Sequence, residues 1–305
     1  MKLTPAQKSV LIPLIFFDMF DVPLTESEFW QFCFGRPINR AEFKKTIFQL
    51  LDKKIIKRYH QWYILAGRKK IIDIHQQRQA ICHKNWLIAQ AVSGLFWRLP
   101  FVRMAAAINN LSFNNCHSDS DIDLFIVTSP NRLWLCRSLL ITVLWLLGLK
   151  KTKTKIAGRI CCGFFITADH LNIRKILLAP GDIYLLFWFL KMTPLAGFKA
   201  WENFCRANHW AYDFFPNYDP KKFLKLPEKQ SWLQKIGELG FWGRWGDFLN
   251  NIIGIYHKRH TWSLPENRQP TSTTIAEDNI LKLHAKDRRQ FYQDKFDKKI
   301  RKLLT

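Results

Sequence analysis

Two apolar runs separated by a polar loop constrain the fold of this 305-residue chain more than any other stretch. The first run is Phe101–Ile108, the loop is Asn109–Asp119, and the second run is Ile122–Val127. Short, continuous apolar runs bounded by turn-forming residues are typical of buried strands. The sequence therefore predicts two buried strands of one sheet, joined by a long polar loop.

Two carboxylates stand at the start of the second run, in the order Asp121-Ile122-Asp123. Because side chains alternate between the two faces of a strand, Asp121 and Asp123 point to one side while Ile122 packs on the other. Two neighbouring carboxylates repel each other unless a cation lies between them, and oxygen ligands of this kind suit Mg²⁺ that carries phosphate. We therefore expect Asp121 and Asp123 to bind Mg²⁺ or Mn²⁺.

The succession of strand, polar loop and acidic strand resembles the nucleotidyltransferase fold of the DNA polymerase β superfamily, whose signature is a Gly-Ser turn followed by a DxD strand. The segments SDSDIDLFIVT, NRLWLCR, CCGFFITADHL and ANHWAYDFFPN are similar to motifs of a bacterial nucleotidyltransferase-like family in that superfamily. This resemblance covers positions 101–217. It implies that Asp121 and Asp123 are catalytic, and that a nucleoside monophosphate passes from a nucleoside triphosphate to an acceptor, which is RNA, protein or a small molecule.

The resemblance places the nucleotide-phosphate turn at Asn109-Asn110, where the family has Gly-Ser. Asparagine tolerates a positive φ better than most residues, although less freely than glycine, and its amide can donate to a phosphate. With these two residues, Ser112 and Ser120 complete the expected nucleotide-binding turn.

A third carboxylate, which active members of the superfamily commonly place on a later strand, would fall within Arg159–Ile166, and that segment contains none. Asp169 and Asp182 are the nearest substitutes. Two functions stay open: a metal-dependent nucleotidyltransferase, or a catalytically degenerate domain that binds nucleotide or nucleic acid without transfer. The intact DxD favours the enzyme, whereas the altered turn and the missing carboxylate favour the binding module.

A helix is predicted at positions 131–149, with Ser129 and Pro130 at its start. It is apolar nearly all round, so we expect it to be packed on both sides. The next strand is predicted at 159–166. The order strand, strand, helix, strand predicts an α+β fold with a small mixed sheet and helices on one side of it.

Arg137 lies inside that apolar helix and needs an anionic partner. An ion pair with Asp119 or Asp121 is one interpretation. A clamp on a nucleotide phosphate is the other, and the sequence favours neither.

The first 70 residues predict three helices followed by a hairpin, which is the winged-helix pattern. The helices are predicted at Ala6–Phe20, Glu26–Phe34 and Arg40–Lys53, and the strands at Ile55–Tyr59 and Trp62–Leu65. In such domains the third helix can enter a DNA major groove while the hairpin touches the backbone. Basic residues suited to that contact are Lys44, Lys45, Lys57 and Arg58. Winged helices serve equally as protein-interaction modules, so both roles stay open.

The predicted organisation has three parts. A winged-helix-like domain spans 1–70, a nucleotidyltransferase-like domain with a leading connector helix spans 71–218, and a basic, largely helical region spans 219–305. No Pro/Gly/Ser linker precedes the first sheet strand, so we expect the first two parts to be docked rigidly. The C-terminal region is predicted to end in one helix, Ala276–Leu304, and a helical pair is predicted at Leu171–Phe198.

The net charge is +23, from 47 Lys+Arg against 24 Asp+Glu. A surface this basic favours polyanionic partners such as nucleic acid, nucleotides or an anionic membrane; a generally basic proteome is the alternative. The longest apolar stretches are too short to cross a bilayer, so an integral membrane protein is not expected. Peripheral contact of a basic, Trp-rich face with a membrane is a minor alternative.

Seven cysteines without a C-x-x-C pair, and an N-terminus unlike a signal peptide, predict a reduced cytoplasmic protein without a zinc site. The histidines form no H-x-x-x-H set. The motifs G-x-S-x-G, P-loop and G-x-G-x-x-G are absent, which excludes α/β-hydrolase, Walker-type ATPase and Rossmann interpretations.

Overall fold

Two β-sheets organise this α+β chain, whose computed structural model describes residues 3–178, 181–220 and 231–304. The smaller, antiparallel sheet contains β1 (Leu24–Thr25), β2 (Ile56–Tyr59) and β3 (Trp62–Leu65), in the order β1-β3-β2. The larger, mixed sheet contains β4 (Val102–Ala107), β5 (Ile122–Thr128), β6 (Ile160–Thr167), β7 (Thr193–Ala196), β8 (Ile275–Ala276) and β9 (Ile280–Lys282). Its strand order is β7-β4-β5-β6-β9-β8, and β5 and β6 run parallel.

The helices pack around these two sheets. In chain order they are α1 (Pro5–Asp18), α2 (Glu26–Gln31), α3 (Arg40–Asp52), α4 (Ile71–Phe96), α5 (Asn109–Ser112), α6 (Leu133–Leu146), α7 (Ile183–Lys191), α8 (Phe198–Ala207), α9 (Trp232–Gly240), α10 (Gly243–Ser263), α11 (Pro265–Arg268) and α12 (Arg289–Leu304).

Side-chain caps begin the first three helices. Thr4 and Thr25 form capping boxes with Gln7 and Glu28, and the Asn39 side chain accepts from the first turn of α3. The predicted order of three helices and a hairpin is confirmed. Helix α2 ends at Gln31, short of the predicted Phe34, because the chain leaves the helix and turns toward α1.

Helices cover both faces of the large sheet. On one face, Phe125 and Phe164 pack in a core with α1 and α7. On the other, Leu124 and Ile126 pack in a second core with α4 and α6. The prediction of a mixed sheet is confirmed. The prediction of helices on one side only is wrong, because an almost continuously apolar strand has two faces to bury.

The N-terminal region shares the first core with the rest of the chain. Phe16 of α1 stacks on Phe187 of α7 with ring centroids 4.3 Å apart. The Asn217 amide donates to the carbonyls of Trp30 and Ile38 at 3.1 and 3.0 Å, which joins the two parts by polar contacts as well. This arrangement agrees with the absence of a flexible linker in the sequence.

Helix α6 begins at Leu133, two residues later than predicted. Ser129 and Pro130 do not start it, since the Ser129 backbone N–H donates to the Phe101 carbonyl at 2.9 Å. Asn131 then adopts a φ of +54°, which turns the backbone before the first helical residue.

The predicted final helix Ala276–Leu304 is wrong over its first part, where β8 and β9 form a hairpin. Strand β9 pairs antiparallel with β6 over Phe164–Ile166 and so covers an edge that would otherwise lack backbone partners. The predicted helical pair at 171–198 is also corrected, because it includes β7, which pairs with β4. The sheet is therefore wider than the sequence suggested.

Cys82 of α4 and Cys116 of the loop after α5 form a disulfide, with Cα atoms 5.2 Å apart. The expectation of fully reduced cysteines is wrong for this pair. Their separation of 34 residues gives no local motif, but the loop folds back on α4. The other cysteines are free.

Among residues 3–178, 181–220 and 231–304, no helix is both long enough and apolar enough to cross a membrane.

Candidate functional site

The carboxylates of Asp121 and Asp123 lie together at the start of β5, as predicted. The neighbouring strand β6 runs parallel and places Cys161 opposite Asp123. One ligand atom from each of Asp121, Asp123 and Cys161 lies within 4.8 Å of the other two. A cysteine thus occupies the strand position where a third carboxylate was expected.

Each carboxylate has a partner within the protein. The Lys151 Nζ lies 2.5 Å from Asp121 Oδ2, and the Asn109 Nδ2 donates to Asp123 Oδ2 at 2.9 Å. Lys151 comes from the turn between α6 and β6. It supplies a positive charge at the place where the sequence predicts a metal cation.

The electrostatics of the site follow from burial and from the paired carboxylates. Burial and the neighbouring Asp121 both raise the pKa of Asp123. Burial lowers the pKa of Lys151, but its hydrogen bond to Asp121 and the charges of neighbouring acidic groups together outweigh burial, and the net shift of the pKa is upward. Burial, then Asp123, raises the pKa of the Cys161 thiol, which stays protonated at neutral pH. Two carboxylates therefore suit Mg²⁺ or Mn²⁺, whereas a soft, protonated thiol does not.

The turn that follows β4 has the backbone geometry expected for a glycine. Asn109 adopts a φ of +55°. Its Oδ1 accepts from Trp188 Nε1 at 2.9 Å, while its Nδ2 holds Asp123. The Ser112 hydroxyl donates to the Asn109 carbonyl at 3.0 Å. Asn109 thus connects the turn, the carboxylate and the aromatic wall of a cleft.

The other two residues of the expected nucleotide-binding turn stabilise the loop. Asn110 Nδ2 lies 3.4 Å from Ser120 Oγ, and that hydroxyl also accepts from the His117 backbone at 2.8 Å. Ser112 and Ser120 are buried. Of the predicted turn residues, Asn109 is the one that lines the cleft.

A cleft of about 200 Å³ opens beside Asn109. Its aromatic wall consists of Phe164, Tyr184, Trp188 and Tyr292. Its cationic wall consists of Lys282, which ends β9, and of Lys286, Arg288 and Arg289, which follow it; His284 lies between them. An aromatic wall facing a cationic one is a combination suited to a base and its phosphates.

Only part of this cationic wall is available to a ligand. Lys282 and Arg289 both bind Asp287, at 2.9 and 2.7 Å, and Arg289 also binds Asp182 at 2.8 Å. By contrast, Lys286 and Arg288 are exposed, and neither forms an ion pair in the described part of the chain.

His284 was assigned no role from the sequence, because its segment was predicted to be helical. It follows β9, and its buried Nδ1 has no partner within the described residues. Burial lowers the pKa of this imidazole, although the Asp123 carboxylate opposes the shift. A prediction of the β8–β9 hairpin from the sequence would have placed His284 in the cleft.

Neither predicted substitute for the third carboxylate reaches the site. Asp182 caps α7 and binds Arg289. Asp169 follows the end of β6 opposite to Cys161, beside His170. Neither residue has the expected spacing in the sequence, and β6 places its first residues, not its last, beside Asp121 and Asp123.

Arg137 contacts neither Asp119 nor Asp121, so the predicted ion pair is wrong. Its Nη1 lies 2.9 Å from Nδ1 of His257 on α10, and its Nε is buried without a partner in the described chain. Burial, then Arg137, lowers the pKa of His257 to about 4. Arg137 is therefore a half-buried cation beside a neutral ring.

A second cavity, of about 430 Å³, lies beside Arg137. Its cationic side chains are Arg137, Lys150, Lys151 and Lys153. Cys161 and Cys162 line it from β6. Since Lys151 also contacts Asp121, this cavity adjoins the carboxylate site.

The four basic residues of the predicted nucleic-acid contact lie on the surface of the N-terminal region. Lys44 and Lys45 are exposed on α3, and Lys57 and Arg58 are exposed on β2. The Arg58 Nε donates to the His60 carbonyl at 2.9 Å. They form a basic surface separate from the carboxylate site, which lies in the large sheet.

Asn208 and Trp210, in the segment ANHWAYDFFPN, pack against the rest of the protein, and Trp210 is half-buried. Asn208 is buried, and its side chain bonds the backbone of Ile173 and Leu171 at 2.9 and 2.8 Å. Their role is structural.

Comparisons of the chain with models of known protein families, with curated proteins and with solved structures found no match. The interpretation of the site therefore rests on the sequence motifs and on the geometry described above.

Proposed function

We propose that this chain is a nucleotidyltransferase-fold protein that binds a nucleoside triphosphate with Mg²⁺ or Mn²⁺ and transfers its nucleoside monophosphate to an acceptor. The observation that carries the proposal is the pairing of Asp121 and Asp123 on one strand, beside a cleft with aromatic and cationic walls. A bound divalent cation would neutralise phosphate charge and position the triphosphate.

Residues of this chain have separate tasks in that reaction. Asp121 and Asp123 provide the oxygen ligands. Tyr292, which is half-buried, offers a ring for the base, and Lys286 and Arg288 are exposed cations for the phosphates. Catalysis of this kind depends mainly on positioning and charge stabilisation.

His284 is the general base in this proposal. Its pKa is lowered, so the ring is neutral at pH 7 and one ring nitrogen carries a free lone pair, and the side chain lines the cleft. As the acceptor oxygen bonds to the α-phosphorus, its proton passes to His284 and pyrophosphate leaves.

The second candidate function is nucleotide or nucleic-acid binding without transfer. Two contacts favour it: Lys151 already neutralises Asp121, and Cys161 stands where a third carboxylate was expected. The N-terminal helices and hairpin fit a winged helix, whose exposed Lys44 and Lys57 would then contact the nucleic acid.

The test is incubation with each α-labelled nucleoside triphosphate, Mg²⁺ or Mn²⁺, and a mixture of cellular RNA and protein. We expect label transfer by the wild type and none by Asp121→Asn/Asp123→Asn. The matched control is Asp119→Asn, an exposed carboxylate of the same loop. Equal transfer by the double variant would contradict the proposed role of the pair.

Nucleotide binding separates the two candidates when no transfer is seen. Binding that Tyr292→Ala weakens, without any transfer, would establish the binding module. Absence of transfer, of nucleotide binding and of nucleic-acid binding from folded protein would overturn both functions.

Arg137→Gln tests independently whether Arg137 binds a phosphate of the nucleotide, as the sequence allowed. Loss of one charged hydrogen bond to phosphate should weaken triphosphate affinity by about ten-fold. Arg58→Gln, on the N-terminal surface, should leave that affinity unchanged. An unchanged affinity in Arg137→Gln would assign the arginine to structure alone.

A further inference from the structure

Helices α9 and α10 expose a continuous set of large apolar side chains, which we call the tryptophan face. Its members are Trp232, Leu233, Ile236, Leu239, Trp242, Trp245, Phe248, Ile252, Ile255, Tyr256 and Trp262. Trp242 is 78% exposed and Leu239 is 70% exposed. A contiguous apolar set of this kind marks an interaction surface, unlike single exposed residues.

The exposed residues of α10 follow helical spacing. Trp245, Phe248, Ile252, Ile255 and Trp262 recur at intervals of three, four or seven, so they form one stripe along the helix. The side that packs on the protein instead carries small and polar residues: Gly246, Asn250, Gly254 and Thr261. This is the reverse of an ordinary surface helix, whose apolar stripe faces the core.

Polar and close-packed contacts fix α10 in this orientation. The Asn250 side chain accepts from the backbone N–H groups of Trp134 and Leu135 at 3.0 and 3.1 Å. A Cβ at Gly254 would lie 2.5 Å from Trp134 Cδ1, so the two helices touch through the glycine. The stripe is therefore held toward the outside.

Helix α9 is fixed in the same manner. Its Gln234 donates to the Val102 carbonyl at 2.6 Å, and its Glu238 binds Arg103 at 2.7 Å. Its apolar residues, including Ile236, remain outside.

The exposed charges of α9 and α10 that lack an ion-pair partner are positive. Both acids of the two helices are engaged, Glu238 with Arg103 and Asp247 with Arg132. The exposed bases Lys235, Arg244 and Arg259 have no ion-pair partner in the described part of the chain.

The end of α6 adds a second apolar and basic segment. Trp145, Leu146 and Leu147 are exposed there, and the exposed Lys150 and Lys153 follow in the next turn. Because α6 and α10 run in parallel, with Trp134 beside Asn250 and Ser138 beside His257, this segment lies toward the same end of the molecule as the end of α10.

We propose that the tryptophan face binds the surface of an anionic membrane. Tryptophan and tyrosine favour the membrane–water interface, and apolar helix faces flanked by Lys and Arg bind anionic lipid. A net charge of +23 repels a second copy of this chain and attracts such a surface. The proposal does not depend on the nucleotide site.

The experiment is flotation of the 305-residue chain with vesicles of phosphatidylcholine alone or with one quarter phosphatidylglycerol. We expect binding to the anionic vesicles, and at least ten-fold weaker partitioning for Trp242→Ser/Trp245→Ser. A second variant, Lys235→Glu/Arg244→Glu/Arg259→Glu, should lose the preference for anionic lipid. Circular dichroism monitors the fold of each variant.

The matched control is Phe48→Ser/Leu87→Ser, which removes two exposed apolar residues from other surfaces. It should bind vesicles as the wild type does. Absence of vesicle binding by the wild type, or equal binding by the tryptophan variant, would overturn the proposal. So would a concentration-dependent dimer that Trp242→Ser/Trp245→Ser abolishes, because a second copy would then cover the face.

Discussion

Helix α1 and helix α10 use their apolar side chains in opposite ways. In α1, Val10, Leu14 and Phe17 are buried in the core that joins the two ends of the chain. In α10, the buried residues are small or polar, and Gly254 contacts its neighbouring helix directly. The difference teaches that a helix can be held by close backbone approach and polar contacts, which leaves its apolar stripe free for another partner.

Phe187→Ala should produce the largest loss of stability, because it removes the ring that stacks on Phe16 at 4.3 Å. We expect the free energy of unfolding to fall by about 3–5 kcal/mol, measured by urea denaturation. The control Phe48→Ala removes a ring that is 72% exposed and should change it by less than about 0.5 kcal/mol. Similar losses in both variants would contradict the assignment of the core.

Gly254→Leu should separate α10 from α6, because the new side chain would overlap the buried Trp134. The expected loss is about 1–3 kcal/mol by the same measurement. Gly240→Leu is the control, since no atom lies within 4 Å of a Cβ at that position. If Gly254→Leu were as stable as this control, close packing would not be what holds α10.

Acidification should weaken the attachment of α10 through His257. Its pKa is lowered to about 4, below the value of about 6.5 in an unfolded chain, so the unfolded state binds more protons between these values. The contribution of neutral His257 to the free energy of unfolding is fully present above about pH 6.5. It is lost as the pH falls through about 4, and the loss is on the order of 1–2 kcal/mol.

Unfolding titrations of His257→Gln should therefore show a flatter pH dependence between 4 and 7 than the wild type. The control His260→Gln removes an exposed imidazole of the same helix. A wild-type slope that persists in His257→Gln would assign the acid sensitivity to another group.

Trp245→Ala should have the smallest effect, within about 0.5 kcal/mol, because its side chain is 59% exposed and belongs to the outward stripe. A loss above 1 kcal/mol in urea denaturation would show that the tryptophan stabilises the fold and would remove the contrast between α1 and α10.

The predictable part of the site was local in sequence. Alternation along a strand was sufficient to place Asp121 and Asp123 together, and the known tolerance of asparagine for a positive φ anticipated the +55° found at Asn109. The N-terminal helices carried their own caps, at Thr25 and Asn39, so their starts could also be predicted.

The remaining part depended on contacts between distant segments. His284 reaches the cleft only because β9 pairs with β6, more than a hundred residues earlier in the chain, and β9 is too short to show a strand pattern. Lys151 lies in a basic turn, and no motif near it in the sequence indicates that it binds Asp121. Arg137 was correctly expected to need a partner, but helical periodicity does not show that α10 packs beside α6 and provides His257.

The position of α1 has a consequence for the synthesis of this protein. Phe16 stacks on Phe187, and Asp18, whose side chain is 2% exposed, binds Arg68 and Lys299. Helix α1 therefore cannot complete its contacts until position 299 has been synthesised. Contacts of such long sequence separation slow folding, and the nascent chain exposes its phenylalanines in the meantime. Truncation at either end would remove part of the same core, so the functions of the N-terminal and C-terminal regions are best separated by point substitutions.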